Sequence, residues 1–339
     1  MATQETQQVD SIIASRRALL MGGGALATLA LTGMAKAAVP ATFTDLDILN
    51  FALNLEYLEG QFYTLATEGL YLDQTAIGTK PGVGAGTTQG ASTSITVKTK
   101  TSTSSNTKLA IAPVPFTSTS IAAYAFETAL EERKHVVFLR TVLGSAAAAQ
   151  PNLDLVNSFI GLGALIGVPN FDPFANDLNF LLGAYIFEDV GVSAYHGAAA
   201  LIKDKVSYLG AAASIQAVEG YHAGLVRSAI AAFDAGLIVI PGETRVGAAS
   251  GLTVKISNVR ATVDGTSTTA TPDDIGVLVK NVALNTSSAT FPSSTTANTD
   301  ANYIAWSRSF RQVLNIVYAT PGAPTSGGFF PNGLSGNIS

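Results

Sequence analysis

The sequence predicts a mainly α protein, a four-helix bundle with a long crossover that also carries Thr/Ser-rich inserts forming short β-strands. Three observations predict it. Four long segments repeat apolar residues at helical spacing. Each of them places a Glu or a Glu-x-x-His pair inside its apolar stretch, in the order Glu, Glu-x-x-His, Glu, Glu-x-x-His. The two halves of the chain also repeat one another at matched offsets.

The first helix is expected from about Asp45 to Glu68. Thr44 with Asp47 three residues later makes a capping-box start, with acids where the helix dipole favours them. Ile48, Leu49, Ala52, Leu55, Leu58, Phe62 and Leu65 then recur on one side. The second helix runs from about Ser120 to Leu143 and stops near Gly144. The third runs from about Asn176 to Ile202, after the breaker Pro173. The fourth runs from about Leu209 to Ala235, ended by Gly236 and Pro241.

Two polar stretches interrupt this pattern. Residues 74–120 are dense in Thr, Ser and Gly and contain Ser94-Ile95-Thr96-Val97-Lys98-Thr99-Lys100, whose alternation suggests a strand hairpin. They form an insert between the first two helices of a bundle spanning 38–240. Residues 241–300 read as a second Ser/Thr-rich insert, β or loop, with Leu252–Ile256 and Gly276–Val279 as short strands. Residues 301–339 follow as a C-terminal helix and tail. Phe310, Val313, Leu314, Val317 and Tyr318 share one helical face there, which packs back on the bundle with Trp306 as an anchor.

The N-terminus carries Arg16-Arg17, an apolar Gly-rich run to Met34, and the small-x-small pattern Ala35-Lys36-Ala37. Residues 1–37 therefore read as a Tat-type signal, placing the protein in the periplasm or another extracytoplasmic space. No later segment reads as a membrane span. Charged residues are 13% of the chain and the net charge is -5, so no basic surface invites nucleic acid or anionic lipid. The chain has no cysteine, which excludes disulfides, thiolate metal sites, iron–sulfur clusters and thiol catalysis.

The chemistry lies in the helices. Two of the three histidines occur in one local pattern, Glu132-Arg133-Lys134-His135 and Glu219-Gly220-Tyr221-His222. A Glu and a His three apart share a helix face and reach one ion. Glu56 and Glu188 stand in the apolar stretches of the first and third helices, where an unpaired carboxylate is costly to desolvate. Glu56, Glu132, His135, Glu188, Glu219 and His222 make up the ligand set of di-iron and di-manganese carboxylate bundles. Glu59 is the alternative to Glu56, and an arginine pairing with a buried Glu is the competing explanation. Oxygen and nitrogen ligands without sulfur suit two iron or manganese ions. Tyr63 and Tyr195 each follow a helix glutamate by seven residues, and Arg140 and Arg227 each follow a histidine by five. The tyrosines read as core residues with bonded hydroxyls, and the arginines as partners for carboxylates. His196 lacks a Glu three before it and reads as a hydrogen-bonded or surface histidine. Glu131, next to Glu132, is expected to face away from the site.

Leu49–Glu59, Phe187–Ala198 and the closing strings Gln312–Tyr318 and Gly327–Leu334 resemble the ferritin-like domain family that includes exported bacterial proteins and plant desiccation-related proteins. The resemblance covers nearly all of the chain after residue 37 except the two inserts, and it implies a ferritin-like fold. Two functions are compatible with it. One is a di-metal redox centre, ferroxidase-like or manganese-catalase-like, that reacts with O2 or H2O2. The other is a non-enzymatic structural or stress-protective protein on the same scaffold. A storage cage is less favoured, because the inserts would crowd subunit contacts. The oligomeric state is not legible.

Overall fold

The computed structural model describes residues 43–72, 95–98, 103–105, 112–266, 274–277, 296–300 and 302–339. The signal assigned to residues 1–37, most of the first insert, and Leu278–Val279 of a predicted strand lie outside these residues. The elements run α1 (Asp45–Glu68), β1 (Ile95–Lys98), β2 (Thr103–Ser105), α2 (Thr119–Leu143), β3 (Leu153–Asp154), α3 (Asn157–Ile166), α4 (Asp177–Ala199), α5 (Gly210–Asp234), α6 (Ala249–Asp264) and α7 (Phe310–Val317).

The four bundle helices are α1, α2, α4 and α5, which pack as the pairs α1–α2 and α4–α5. Local chemistry sets their ends. Thr44 accepts from the Asp47 N–H and Asp47 returns a bond to the Thr44 N–H at 2.8 Å, so two otherwise orphaned donors are satisfied together. Gly69 closes α1 at φ 67°, a conformation that a side chain resists. Asn176 caps α4 through the Asn179 N–H at 2.9 Å.

The helices are not equally enclosed. Almost every residue of α1 from Ile48 to Thr67 and of α4 from Asp177 to Tyr195 is buried, including polar ones, whereas α2 and α5 expose one face. The C-terminal segment covers α1. Phe310 of α7 stacks edge-on against Phe51 at 4.8 Å, and Asn54 exchanges hydrogen bonds with the Ser335 backbone at 2.8 and 2.9 Å.

The hairpin expected around Ile95–Lys98 is present as antiparallel β1–β2, and β3 adds parallel to β1. The strand expected at Leu252–Ile256 is instead part of helix α6. Leu252-Thr253-Val254-Lys255-Ile256 alternates like a strand, but tertiary contacts outweigh that weak preference. The Asp234 carboxylate accepts from the N–H groups of Gly247, Ala249 and Ser250, capping the start of α6. Thr253, Ile256, Ser257, Arg260 and Asp264 then fall on one buried helical face. Gly276 and Val277 are in no strand.

α6 also completes a buried ion network. Arg227 meets Asp189 at 2.9 Å, Arg260 meets Asp189 at 3.1 Å and Asp274 at 2.6 Å, and Arg308 meets Asp274 at 2.9 Å and Asp264 at 3.1 Å. Three arginines balance three aspartates, so the network itself carries no net charge. The network joins α4, α5, α6 and the segment before α7.

Candidate metal centre

Glu56, Glu132, Glu188 and Glu219 project from four different helices into one interior space, and all four are buried. They form two overlapping groups. Glu56, Glu132, His135 and Glu219 make one, and Glu132, Glu188, Glu219 and His222 make the other. Within each group, one ligating atom per residue lies within 4.8 Å of the others. The structure thus brings all six predicted residues together, with Glu132 and Glu219 common to both groups. Glu59 falls outside both groups, although it is buried beside them.

The helix spacing produces this sharing. In each Glu-x-x-His pair the histidine stands one turn from the glutamate, so both face the same interior space, with the glutamate common to both groups. His135 Nδ1 lies 3.2 Å from Glu56 and 3.6 Å from Glu132. His222 Nδ1 lies 2.9 Å from Glu132 and 3.6 Å from Glu188.

Hydrogen bonding alone does not satisfy this cluster. Both carboxylate oxygens of Glu132 and of Glu219, Oε2 of Glu188 and Nδ1 of His222 are buried without a hydrogen-bond partner among the described residues. Glu132 and His222 approach within ionic reach but are not aligned for a hydrogen bond. Buried acceptors so placed are costly unless a cation takes their lone pairs. Four carboxylates bring four negative charges and two divalent cations bring four positive ones. The oxygen and imidazole donors fit iron or manganese.

Without metal, the groups must share protons. Burial, reinforced by Glu132, pushes the Glu56 carboxyl up to about 7 against the pull of His135. Burial and the surrounding carboxylates push Glu59 and Glu219 well above the usual carboxylate range. Burial works against a charged His135, but Glu56 and Glu132 overcome it and raise the imidazole to about 10. His222 is raised in the same way to about 12 by Glu188 and Glu132. Glu132 is also penalised by burial, yet the two imidazoles beside it hold its carboxyl below the ordinary range.

The supporting contacts follow the internal repeat with a crossover. The Tyr195 hydroxyl donates to Glu56 and the Tyr63 hydroxyl donates to Glu188, so each tyrosine supports the glutamate of the opposite helix pair. Arg227 binds Asp189, the residue after Glu188, as the carboxylate-partner expectation has it. Arg140 instead binds the residue after Glu56, which is Tyr57, together with the Ala148 carbonyl at 3.1 Å. His196 Nδ1 bonds the carbonyls of Ala305 and Trp306 at 3.0 and 3.1 Å, tying α4 to the segment before α7.

Two residues of the site were not legible as such. Glu131 does not face away from everything, for its carboxylate lies 2.7 Å from His222 Nε2 across the α2–α5 interface. A carboxylate on the outer nitrogen of a ligating histidine orients the ring and raises its basicity. Gly191 is the other: a Cβ there would overlap the Glu219 carboxylate and lie 3.5 Å from Glu59. Neither adjacency nor helix periodicity signals these roles.

A bundle with two Glu and two Glu-x-x-His helices around shared carboxylates defines a class of proteins built to hold paired metal ions. A family model described as ferritin-like domain matches residues 44–232, and the chain belongs to that family. It is 26% identical over 301 residues to the Ferritin-like catalase Nec2 of Nesocodon mauritianus, covering 87% of this chain and 84% of that protein. No solved structure gives a significant match.

Proposed function

We propose that this protein is an exported di-metal enzyme that disproportionates hydrogen peroxide, turning two H2O2 into two H2O and one O2. The observation that carries the reading is the pair of overlapping groups sharing Glu132 and Glu219, with six unpaired buried ligating atoms aimed into one space. Similarity over most of the chain to a ferritin-like catalase favours peroxide over ferrous iron as substrate. Two bound iron or manganese ions would supply the two-electron redox capacity that oxidises one peroxide and reduces the next.

The protein's own residues do the rest. Glu56 and His135 would hold metal on one side and Glu188 and His222 on the other, with Glu132 and Glu219 common to both groups. Tyr195 and Tyr63 fix the carboxylates of Glu56 and Glu188, so their second oxygens stay aimed inward. Glu131 sets the ring orientation of His222. The closely packed interior keeps bulk water from competing at the site. The twin-arginine segment at Arg16-Arg17 supports export in a folded, metal-loaded state.

Metal analysis and oxygen release test the reading together. Wild-type protein purified without chelators should carry about two iron or manganese ions per chain, as a paired site requires. It should evolve O2 from peroxide, and a Glu132→Ala/His222→Ala variant should do neither. A folded wild type that takes up little metal would refute the centre. One that is fully loaded and oxidises ferrous iron, but releases no O2, would replace peroxide with iron as the substrate.

A further inference from the structure

The floor of the metal cluster has a second side. Between α1 and α4 lies a small cavity of about 20 Å³ bounded by Leu55, Leu58, Glu59, Phe187, Val190 and Gly191. That is room for one water-sized molecule. Its inner wall is Glu59 and the α-carbon of Gly191, against which the Glu219 carboxylate rests. A larger cleft of about 570 Å³ lies outside it, between α3, α6 and the C-terminal tail. Its rim includes Leu165, which is 68% exposed, and Thr320 and Pro331, which are exposed too.

Ile186, Ile316 and Phe329 line both spaces. All three are buried and face both the cleft and the cavity, so the two spaces meet at these side chains. Phe329 sits edge-on against Phe159 at 5.1 Å and Phe187 at 5.0 Å. The sequence from outside to inside is therefore cleft, apolar partition, one-molecule cavity, Glu59 and Gly191, then Glu219.

We infer that this sequence of spaces is the route by which peroxide, as a small uncharged molecule, reaches the metal cluster, with Ile186, Ile316 and Phe329 as its gate. The inference rests on the peroxide reading above. An apolar gate discriminates by charge. A hydrated cation would have to shed its shell against side chains that offer no oxygen in return, whereas a neutral molecule loses only a few hydrogen bonds. Glu59 lines the inner end, where the cavity surface is almost wholly apolar, so a neutral molecule meets no charge before it reaches the carboxylates. Metal ions must then load by another path, which separates the traffic of metal from that of substrate.

The absence of native cysteine permits a test that needs neither metal nor turnover. Leu58→Cys places a thiol in the inner cavity. Neutral methyl methanethiosulfonate should label it at least about tenfold faster than charged sulfonatoethyl or trimethylammonioethyl reagents, given the cost of desolvating an ion. Adding Phe329→Trp should slow the neutral reagent, and adding Phe329→Ala should speed it. Ile316→Phe, on the same partition, should slow it as well and guards against a fold defect particular to residue 329. In the otherwise wild-type protein, Phe329→Trp should lower kcat/KM for peroxide while metal content per chain stays constant. Equal labelling by neutral and charged reagents, or labelling indifferent to residues 316 and 329 in folded protein, would overturn the route. Loss of the metal centre itself would show in metal content and would leave the labelling result intact.

Discussion

Tyr195 on α4 donates its hydroxyl to Glu56 on α1, and its counterpart Tyr63 on α1 donates to Glu188 on α4. The internal repeat therefore closes on itself through the site, with each half holding the other half's glutamate. Tyr195→Phe should weaken metal binding at the Glu56–His135 group, and Tyr63→Phe metal binding at the Glu188–His222 group. Removing a partner of this kind typically costs about 10–100-fold in metal affinity. Titration against a competing chelator should show one of two sites weakened in each variant. Unchanged affinity in both would reduce the tyrosines to packing.

Gly191 leaves room for the Glu219 carboxylate. A Cβ at residue 191 would overlap Glu219 Oε2, the far end of that side chain, so the carboxylate would have to move aside. Gly191→Ala should therefore displace Glu219, lose metal from both sides of the site and cost about 1–3 kcal/mol of stability as an overpacked substitution. Helical content by circular dichroism should persist. Full metal occupancy in the variant would show that the Glu219 carboxylate moves aside without leaving the site.

Stability of the metal-free protein should fall as pH rises from about 4.5 to 10. Glu56, raised to about 7 by burial and Glu132, keeps its proton in the folded state where the unfolded chain has released it above its ordinary 4.5. His135, raised to about 10 against its burial by Glu56 and Glu132, gives stability fully present below its ordinary 6.5 and lost as pH climbs to 10. Both slopes have the same sign. The Asp274 carboxyl, which Arg260 and Arg308 depress against the effect of burial, acts only below its ordinary 3.8, outside this window. Metal displaces these protons, so metal affinity should rise over the same range. Melting temperatures of stripped and loaded protein at about pH 5 and pH 8 should diverge with pH. A stripped protein that melts higher at the alkaline end would contradict the proton sharing.

Arg308 is fully enclosed and pairs with both Asp264 and Asp274. Arg308→Met should cost about 3–5 kcal/mol, since it strands a buried charge on Asp264. Arg308→Met combined with Asp264→Asn should recover part of the loss, measurable by denaturant melts. A single variant as stable as wild type would mean that the network contributes nothing net.

The sequence by itself determined the four long helices, the capping at Thr44, and the six residues that meet in the interior. Those features are local or periodic: a cap is set by neighbours three residues away, and a Glu-x-x-His shares a face wherever the helix packs. The matched offsets also carried the pseudo-repeat. Only the tertiary structure decided which tyrosine serves which glutamate, because offsets along one helix say nothing about the partner across the bundle. It turned the alternating Leu252–Ile256 segment into α6, where capping by Asp234 and the reach of Arg260 to Asp189 outweigh β-propensity. It gave Glu131 to His222 and set Gly191 against Glu219, since both depend on the distance between helices far apart in sequence. The gate of Ile186, Ile316 and Phe329 belongs to the same class: three residues from three parts of the chain acquire a joint role only where the tail folds back over α1 and α4.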